Sequence, residues 1–311
     1  MRKKKLRSGL NPKRFWTVNM FCRILKFAAP VWALALLALP AAGADAKEQA
    51  VSLSTQDGWA LAALYRPADE GKRTVILLHD LGKNKEEFST FKANLGSEGF
   101  GYLALDLRGH GQSTNKGEAF SFAREGVDNE YNKMTRDVEA AVSFLDKKGV
   151  SQQDMVVLGA GLGANVAAKS MSFSPDIGGV ALISPTTNNR DVLSIPAMRL
   201  YKGDILIAAG AADKKSFLEA SVIRNVAFLT AGEGKVTFLT AYDLTSHDML
   251  DKYLRPAVIQ WLKTPHKPEV LPDAPAVDLT VPTNTQGLLV PPSGTEESLV
   301  PSVLGVQQGA L

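Results

Sequence analysis

The sequence predicts an α/β protein with a mostly parallel central sheet and helices on both faces. Three observations carry that prediction. Strand and helix patterns alternate from about residue 47 to 264. The run Thr74–Leu78 (TVILL) is wholly apolar and β-branched in part, as a strand buried on both faces requires. Glycine-rich loops follow several of the strands, where such sheets gather their ligands and chemistry.

The elements follow in order. Segments 51–54 and 61–65 read as an opening strand pair around the turn Asp57-Gly58. After the buried strand at 74–78 comes an amphipathic helix over 86–95, then a strand over 101–107. A glycine-rich loop and a variable stretch lead to a helix over 131–147. Strand 154–158, helix 164–171 and strand 179–183 come next, then strand 204–208, helix 216–224, strand 235–240 and a last helix over 248–262. The connection between 184 and 203 is short and leaves little room for a lid domain. There is no internal repeat.

Of the 311 residues, 45% are hydrophobic and 22% charged, the balance of an ordinary globular chain. The formal charge of +3 hides an asymmetry. Residues 1–26 hold nine basic side chains and no acid, 27–39 are apolar and uncharged, and Pro40-Ala41-Ala42-Gly43-Ala44 is a run of small residues. These are the parts of a secretory signal peptide, with cleavage expected before Asp45 and Met20 an alternative start. A retained anchor is the rival reading, but the apolar run falls short of the ~20 residues that span a bilayer. The protein is therefore expected to be periplasmic or secreted, meeting a membrane only through an uncleaved signal segment. Without residues 1–44 the chain has 26 basic against 32 acidic side chains, a net −6 with no footprint for nucleic acid. Its only cysteine, Cys22, goes with the leader, so disulfides and thiol catalysis are excluded from the mature chain. Residues 265–311, rich in proline and without periodicity, read as a disordered tail, the domain proper being 47–264.

Read at the carboxyl ends of the strands, the loops are His79-Asp80-Leu81-Gly82, then Asp106-Leu107-Arg108-Gly109-His110-Gly111-Gln112-Ser113, then Gly159-Ala160-Gly161-Leu162-Gly163. Gly210-Ala211-Ala212-Asp213 and Ser246-His247-Asp248 follow the last two strands. On these motifs the chain resembles the α/β-hydrolase superfamily, its small, lid-poor esterase and peptidase-like members. D-x-R-G-H-G-x-S is frequent there, and G-x-S-x-G is its nucleophile elbow, set between a strand and a helix. The resemblance covers nearly all of 50–262 and implies a nucleophile, an acid and a histidine at Gly161, Asp213 and His247. It also implies an oxyanion hole from the backbone N–H groups of Leu81 and Leu162.

The departure is Gly161, which supplies no attacking oxygen. Glycine reaches the strained backbone of an elbow without a Cβ clash, whereas serine there costs about 1–3 kcal/mol. The fold should survive and acyl-enzyme chemistry should not. Other residues have plainer readings beside the functional ones. Asp213 can serve as a helix cap and His247 as a loop histidine, while His79 and His110 suit the shaping of loops better than catalysis. His266 belongs to the tail. Gly159-x-Gly161-x-x-Ala164 also matches a dinucleotide fingerprint. That fingerprint opens the first βαβ unit with an acid after the second strand, and neither condition holds, so no cofactor is expected. No histidine or acid spacing resembles a zinc site.

Three functions are compatible with this pattern. The first is a pseudoenzyme that binds a small acyl ligand or another partner through the former active-site pocket. The second is a hydrolase of small esters or amides in which His247 and Asp213 activate water. The third is acid–base chemistry of that dyad without hydrolysis. The leader is testable alone: protein recovered outside the cytoplasm of an expressing bacterium is expected to begin at Asp45 on N-terminal sequencing. A chain beginning at Met1 or Met20 overturns cleavage.

Overall fold

The computed structural model describes residues 47–126, 128–242 and 249–263. The expected leader over 1–44, the tail over 265–311 and His247 lie outside the described residues. The strands are β1 (Gln49–Ser54), β2 (Ala60–Arg66), β3 (Thr74–Leu78), β4 (Gly101–Leu105), β5 (Met155–Ala160) and β6 (Gly179–Ile183). A small hairpin of β7 (Asn188–Asn189) and β8 (Val192–Leu193) precedes β9 (Asp204–Gly210) and β10 (Val236–Ala241). Eight of them form one sheet in the order β1-β2-β4-β3-β5-β6-β9-β10. The β1–β2 and β2–β4 pairs are antiparallel and all pairs from β4 to β10 are parallel.

The apolar runs that announced the strands are buried from both sides. Along β3 the side chains alternate: Val75 and Leu77 enter one core, Ile76 and Leu78 the other. The first core is closed by Phe91 and Leu95 of α1 (Ser89–Ser97) and by Val258 and Trp261 of α6 (Arg255–Lys263). The second is closed by Val138 and Leu145 of α2 (Thr135–Lys147), Val166 of α3 (Leu162–Ser170) and Ile223 of α5 (Lys214–Ala231). Each such side chain contributes about 1.5–3 kcal/mol by leaving water.

The helices differ from the sequence reading at their ends. The helix expected over 86–95 starts as a tight 3₁₀ turn, Lys85–Phe88, because the Asn84 side chain accepts the Glu86 N–H and begins the turn early. The helix expected over 216–224 runs from Lys214 to Ala231, since Asp213 caps its start and nothing breaks it before Gly232. The last helix opens with a wide π-type turn, Leu250–Leu254, just before Pro256, which has no N–H to offer the preceding turn. Between β6 and β9 stand only the small hairpin and the one-turn α4 (Ile195–Met198), so the lid is minimal, as expected. Among the described residues no helix is long and apolar enough to cross a membrane.

The loop after β4 is anchored by Arg108, whose side chain is wholly buried. Its Nε donates to Asp137 Oδ1 at 2.8 Å and its backbone N–H to Asp137 Oδ2 at 2.8 Å. Nη1 reaches Asp57 at 2.8 Å and Glu130 at 3.0 Å, so one guanidinium ties the β1–β2 turn, the loop and α2 together. Asp137 is likewise fully buried. Removing one partner of such a pair leaves an uncompensated charge and costs about 3–5 kcal/mol. Arg108→Met should therefore lose stability on that scale in denaturant unfolding, and adding Asp137→Leu should recover much of it. A single variant as stable as wild type overturns this role for Arg108.

Candidate functional site

Packing at the carboxyl end of β5 dictates two of the elbow's glycines. A Cβ on Gly159 would overlap the Gly163 carbonyl, and one on Gly163 would overlap the carbonyl of Leu78. Helix α3 therefore starts hard against the ends of β3 and β5, whose Leu78 and Gly159 lie opposite each other. The third glycine, Gly161, turns the chain from strand to helix with φ 52° and ψ −114°. Its N–H donates to the Ile183 carbonyl at 3.0 Å and its own carbonyl accepts the Ala164 N–H at 3.1 Å. L-residues with a side chain rarely adopt such a φ.

The loop after β3 meets this turn through Asp80. One carboxylate oxygen, Oδ1, accepts the backbone N–H of Leu81 at 2.7 Å and that of Leu162 at 2.7 Å. These are the two amides the sequence reading named for an oxyanion hole. The carboxylate also lies where a side chain on Gly161 would start, since a Cβ there would overlap Asp80 Cγ and both its oxygens. The Asp80 N–H in turn donates to Glu87 at 2.8 Å.

His79 and His110 act on backbone. Leu107 N–H donates to His79 Nε2 at 3.0 Å, which leaves Nδ1 as the protonated nitrogen, donating to the Asp80 carbonyl at 2.7 Å. The ring is completely buried and burial pushes its pKa down to about 4, so it is neutral. His110 lies edge-on to it at 4.9 Å, its Nδ1 3.0 Å from the Arg108 carbonyl. In the same loop Asp106 accepts from Lys85 Nζ at 2.7 Å and the Gln112 N–H at 2.9 Å, and Ser113 Oγ donates to the Asp106 carbonyl at 2.8 Å. The 106–113 motif is a self-locked loop in which Asp106, Arg108 and Ser113 are engaged, while the buried His110 Nε2 has no hydrogen-bond partner.

Asp213 follows β9 and caps α5. Its carboxylate accepts the Ser216 hydroxyl at 2.6 Å and the Ser216 N–H at 3.2 Å, bonds that hold its pKa below the usual carboxylate range. His247 falls in 243–248, outside the described residues. The chain on its far side returns to the elbow, where Leu250, Phe88, Ile183 and Ser184 wall a cavity of about 30 Å³ beside Gly161. Such a space admits a water molecule or two; small-molecule sites run to about 300–1,000 Å³. A larger cavity of about 420 Å³ lies at the opposite, amino-terminal end of the strands. There Lys235 pairs with Asp204 at 2.9 Å and Arg73 approaches it at 3.7 Å, away from every motif described above. Among the described residues no group of three or more His, Cys, Asp or Glu is placed to hold a metal ion.

Two residues of the site escaped the sequence reading. Asp80 was visible in its loop, and a carboxylate next to an expected oxyanion-hole amide was the available signal. Ser184 directly follows β6 with φ 54°, and its buried hydroxyl has no hydrogen-bond partner. Nothing in the sequence marks it.

The sheet order, its parallel strands and the strand–elbow–helix at β5 define a protein of the α/β-hydrolase class. The family described as serine aminopeptidase, S33, matches residues 69–225, just over half of the chain, and the chain belongs to that family. Among solved structures, an esterase from Pyrococcus furiosus is 18% identical with a TM-score of 0.57, over 70% of this chain and 92% of that one. An esterase from Exiguobacterium antarcticum is 15% identical with a TM-score of 0.55, over 70% and 100%. A dienelactone hydrolase from Anabaena variabilis is 14% identical with a TM-score of 0.55, over 71% and 97%. At these identities the likeness is one of fold. No curated protein matches the chain.

The buried imidazoles make a pH prediction. His79 binds its proton more weakly folded than unfolded, so between about pH 6.5 and 4 the unfolded chain takes up protons that the folded one does not. Stability is complete above pH 6.5 and declines as pH falls toward 4, by up to about 3 kcal/mol from His79. His110, also held down by burial, adds a loss of the same sign. Denaturant midpoints at pH 7 and 4.5 should separate more for wild type than for His79→Gln. Equal separations would assign the titration elsewhere.

Proposed function

We propose that this is an exported α/β-hydrolase-fold protein that binds rather than hydrolyses. In this reading Gly161 stands at the nucleophile position, Asp213 and His247 at those of acid and histidine, and the Leu81 and Leu162 amides form the oxyanion hole. The observation that carries it is the state of the elbow. Residue 161 has no side chain, and a carboxylate rests on the two amides that an acyl oxyanion would need. Loss of the nucleophile in a well-studied serine hydrolase costs about a millionfold in turnover. What then remains, about a thousandfold over water, comes from the oxyanion hole and binding, and here the hole is filled.

Hydrolysis by water activated at His247, or proton abstraction by that histidine, needs room for a substrate beside Gly161. The cavity of about 30 Å³ counts against both, and the binding reading is one of a partner met outside that void. Export rests on the basic, apolar and small-residue order of 1–44.

The test compares wild type, Gly161→Ser and His247→Ala in fluorophosphonate labelling and in turnover of short-chain esters. Wild type is expected to remain unlabelled and to turn over nothing above the His247→Ala background. Gly161→Ser is expected to stay silent too, because its Cβ meets Asp80, and to lose about 1–3 kcal/mol of stability. Labelling of wild type, or turnover that His247→Ala abolishes, overturns the proposal.

A further inference from the structure

We propose that the oxyanion hole of this protein is an anion site occupied by its own side chain, that residues 80 and 161 form one coupled unit, and that with the Asp80 carboxyl removed the site takes a small carboxylate in its place. The inference rests on the reading of the Leu81 and Leu162 amides given above and goes beyond it by naming what fills them.

Both donors point at a single atom. Leu81 N–H comes from the loop after β3 and Leu162 N–H is the first amide of α3, and each lies 2.7 Å from Asp80 Oδ1. Bonds of that length to an ionised oxygen are of the strong, charge-assisted kind. The first amides of a helix have no partner within it, and the helix dipole favours negative charge at that end. In a nine-residue helix such as α3 that alone defines no site. Three further observations do. A carboxylate, the chemical stand-in for an acyl oxyanion or a bound acid, lies on the donors. It also fills the space of a side chain at residue 161, so glycine there and aspartate at 80 exclude any larger pair. Finally, Ser184, only 6% exposed and walling the same cavity, keeps a hydroxyl without a partner. It shares that void with Gly161, the residue against which the carboxylate packs.

Two consequences follow. In the native chain an acyl carbonyl finds the donors already engaged, so the site is closed from within. Removal of the Asp80 carboxyl leaves a space of its own size beside Gly161 and frees two aligned N–H donors for a carboxylate of that size.

The experiment uses Asp80→Ala with sodium formate as the probe and sodium chloride at equal ionic strength as the control. Formate is expected to raise the Tm of Asp80→Ala saturably, with amide ¹⁵N shifts concentrated at Leu81 and Leu162, and to do neither in wild type. If Asp80→Ala does not fold in chloride, its refolding yield in formate against chloride reads the same binding. Gly161→Ala supplies the coupling: its loss of Tm in the Asp80→Ala background is expected to be less than half that in wild type. A formate effect that is absent, non-saturable or equal in wild type overturns the inference, as does an undiminished penalty for Gly161→Ala. Fluorophosphonate labelling of wild type overturns the non-hydrolytic reading instead, so the two failures are distinguishable.

Discussion

Two backbone N–H groups from segments 81 residues apart share one oxygen of Asp80, and the carboxyl end of the sheet is arranged around that contact. The pairing exists because β3 and β5 are neighbours in register, with Leu78 beside Gly159, and because two glycines let α3 start against both strands. A methyl group at Gly163 would force the helix away from the Leu78 carbonyl and with it the Leu162 amide. The strand pairing, the glycines and the carboxylate are thus successive conditions on one piece of geometry. Each hydrogen bond to a charged group contributes about 1.5–3 kcal/mol, comparable to a buried leucine of the core, so the contact is a structural element in its own right.

The support extends outward through neutral groups. His79 joins the Asp80 carbonyl to the Leu107 amide, which links the loop after β3 to the loop after β4. That second loop is closed by Asp106 and Ser113 and anchored to α2 by Arg108. An imidazolium could not accept the Leu107 N–H, so the neutral ring is a requirement of the link rather than a by-product of burial. The His79 and Asp106 loops, expected from the sequence to shape loops rather than to catalyse, hold one carboxylate and the turn beside it.

The sheet was legible in the sequence because its signal is local. Buried parallel strands must be continuous apolar runs, and 74–78 and 179–183 appear in the structure with the bounds expected of them. Helix ends were less legible, since Asn84 and Asp213 shift them through single side-chain bonds that periodicity does not register. At the site, Gly161 was recognisable from its motif, whereas Asp80 was not. Its role depends on a contact with Leu162 across 82 positions, and no local pattern encodes that. Asp213 shows a further limit: a position after a strand and before a helix suits a catalytic acid and a helix cap equally, and the carboxylate bonds found are those of a cap.

On the proposed reading, glycine at the elbow has an energetic logic that does not require selection for inactivity. A serine at φ 52° carries backbone strain, and an unfilled oxyanion hole leaves two amides dependent on water. Glycine at 161 relieves the first and aspartate at 80 satisfies the second, and neither change is complete without the other, because each side chain needs the volume the other gives up. The cost falls on chemistry. If these amides form the proposed oxyanion hole, acyl transfer would develop negative charge where they point, and a fixed carboxylate there both occupies the donors and repels that charge, the reverse of the preorganised stabilisation on which such catalysis depends. Placing a hydroxyl at 161 while Asp80 remains would therefore set a nucleophile in a site whose electrostatics oppose its reaction.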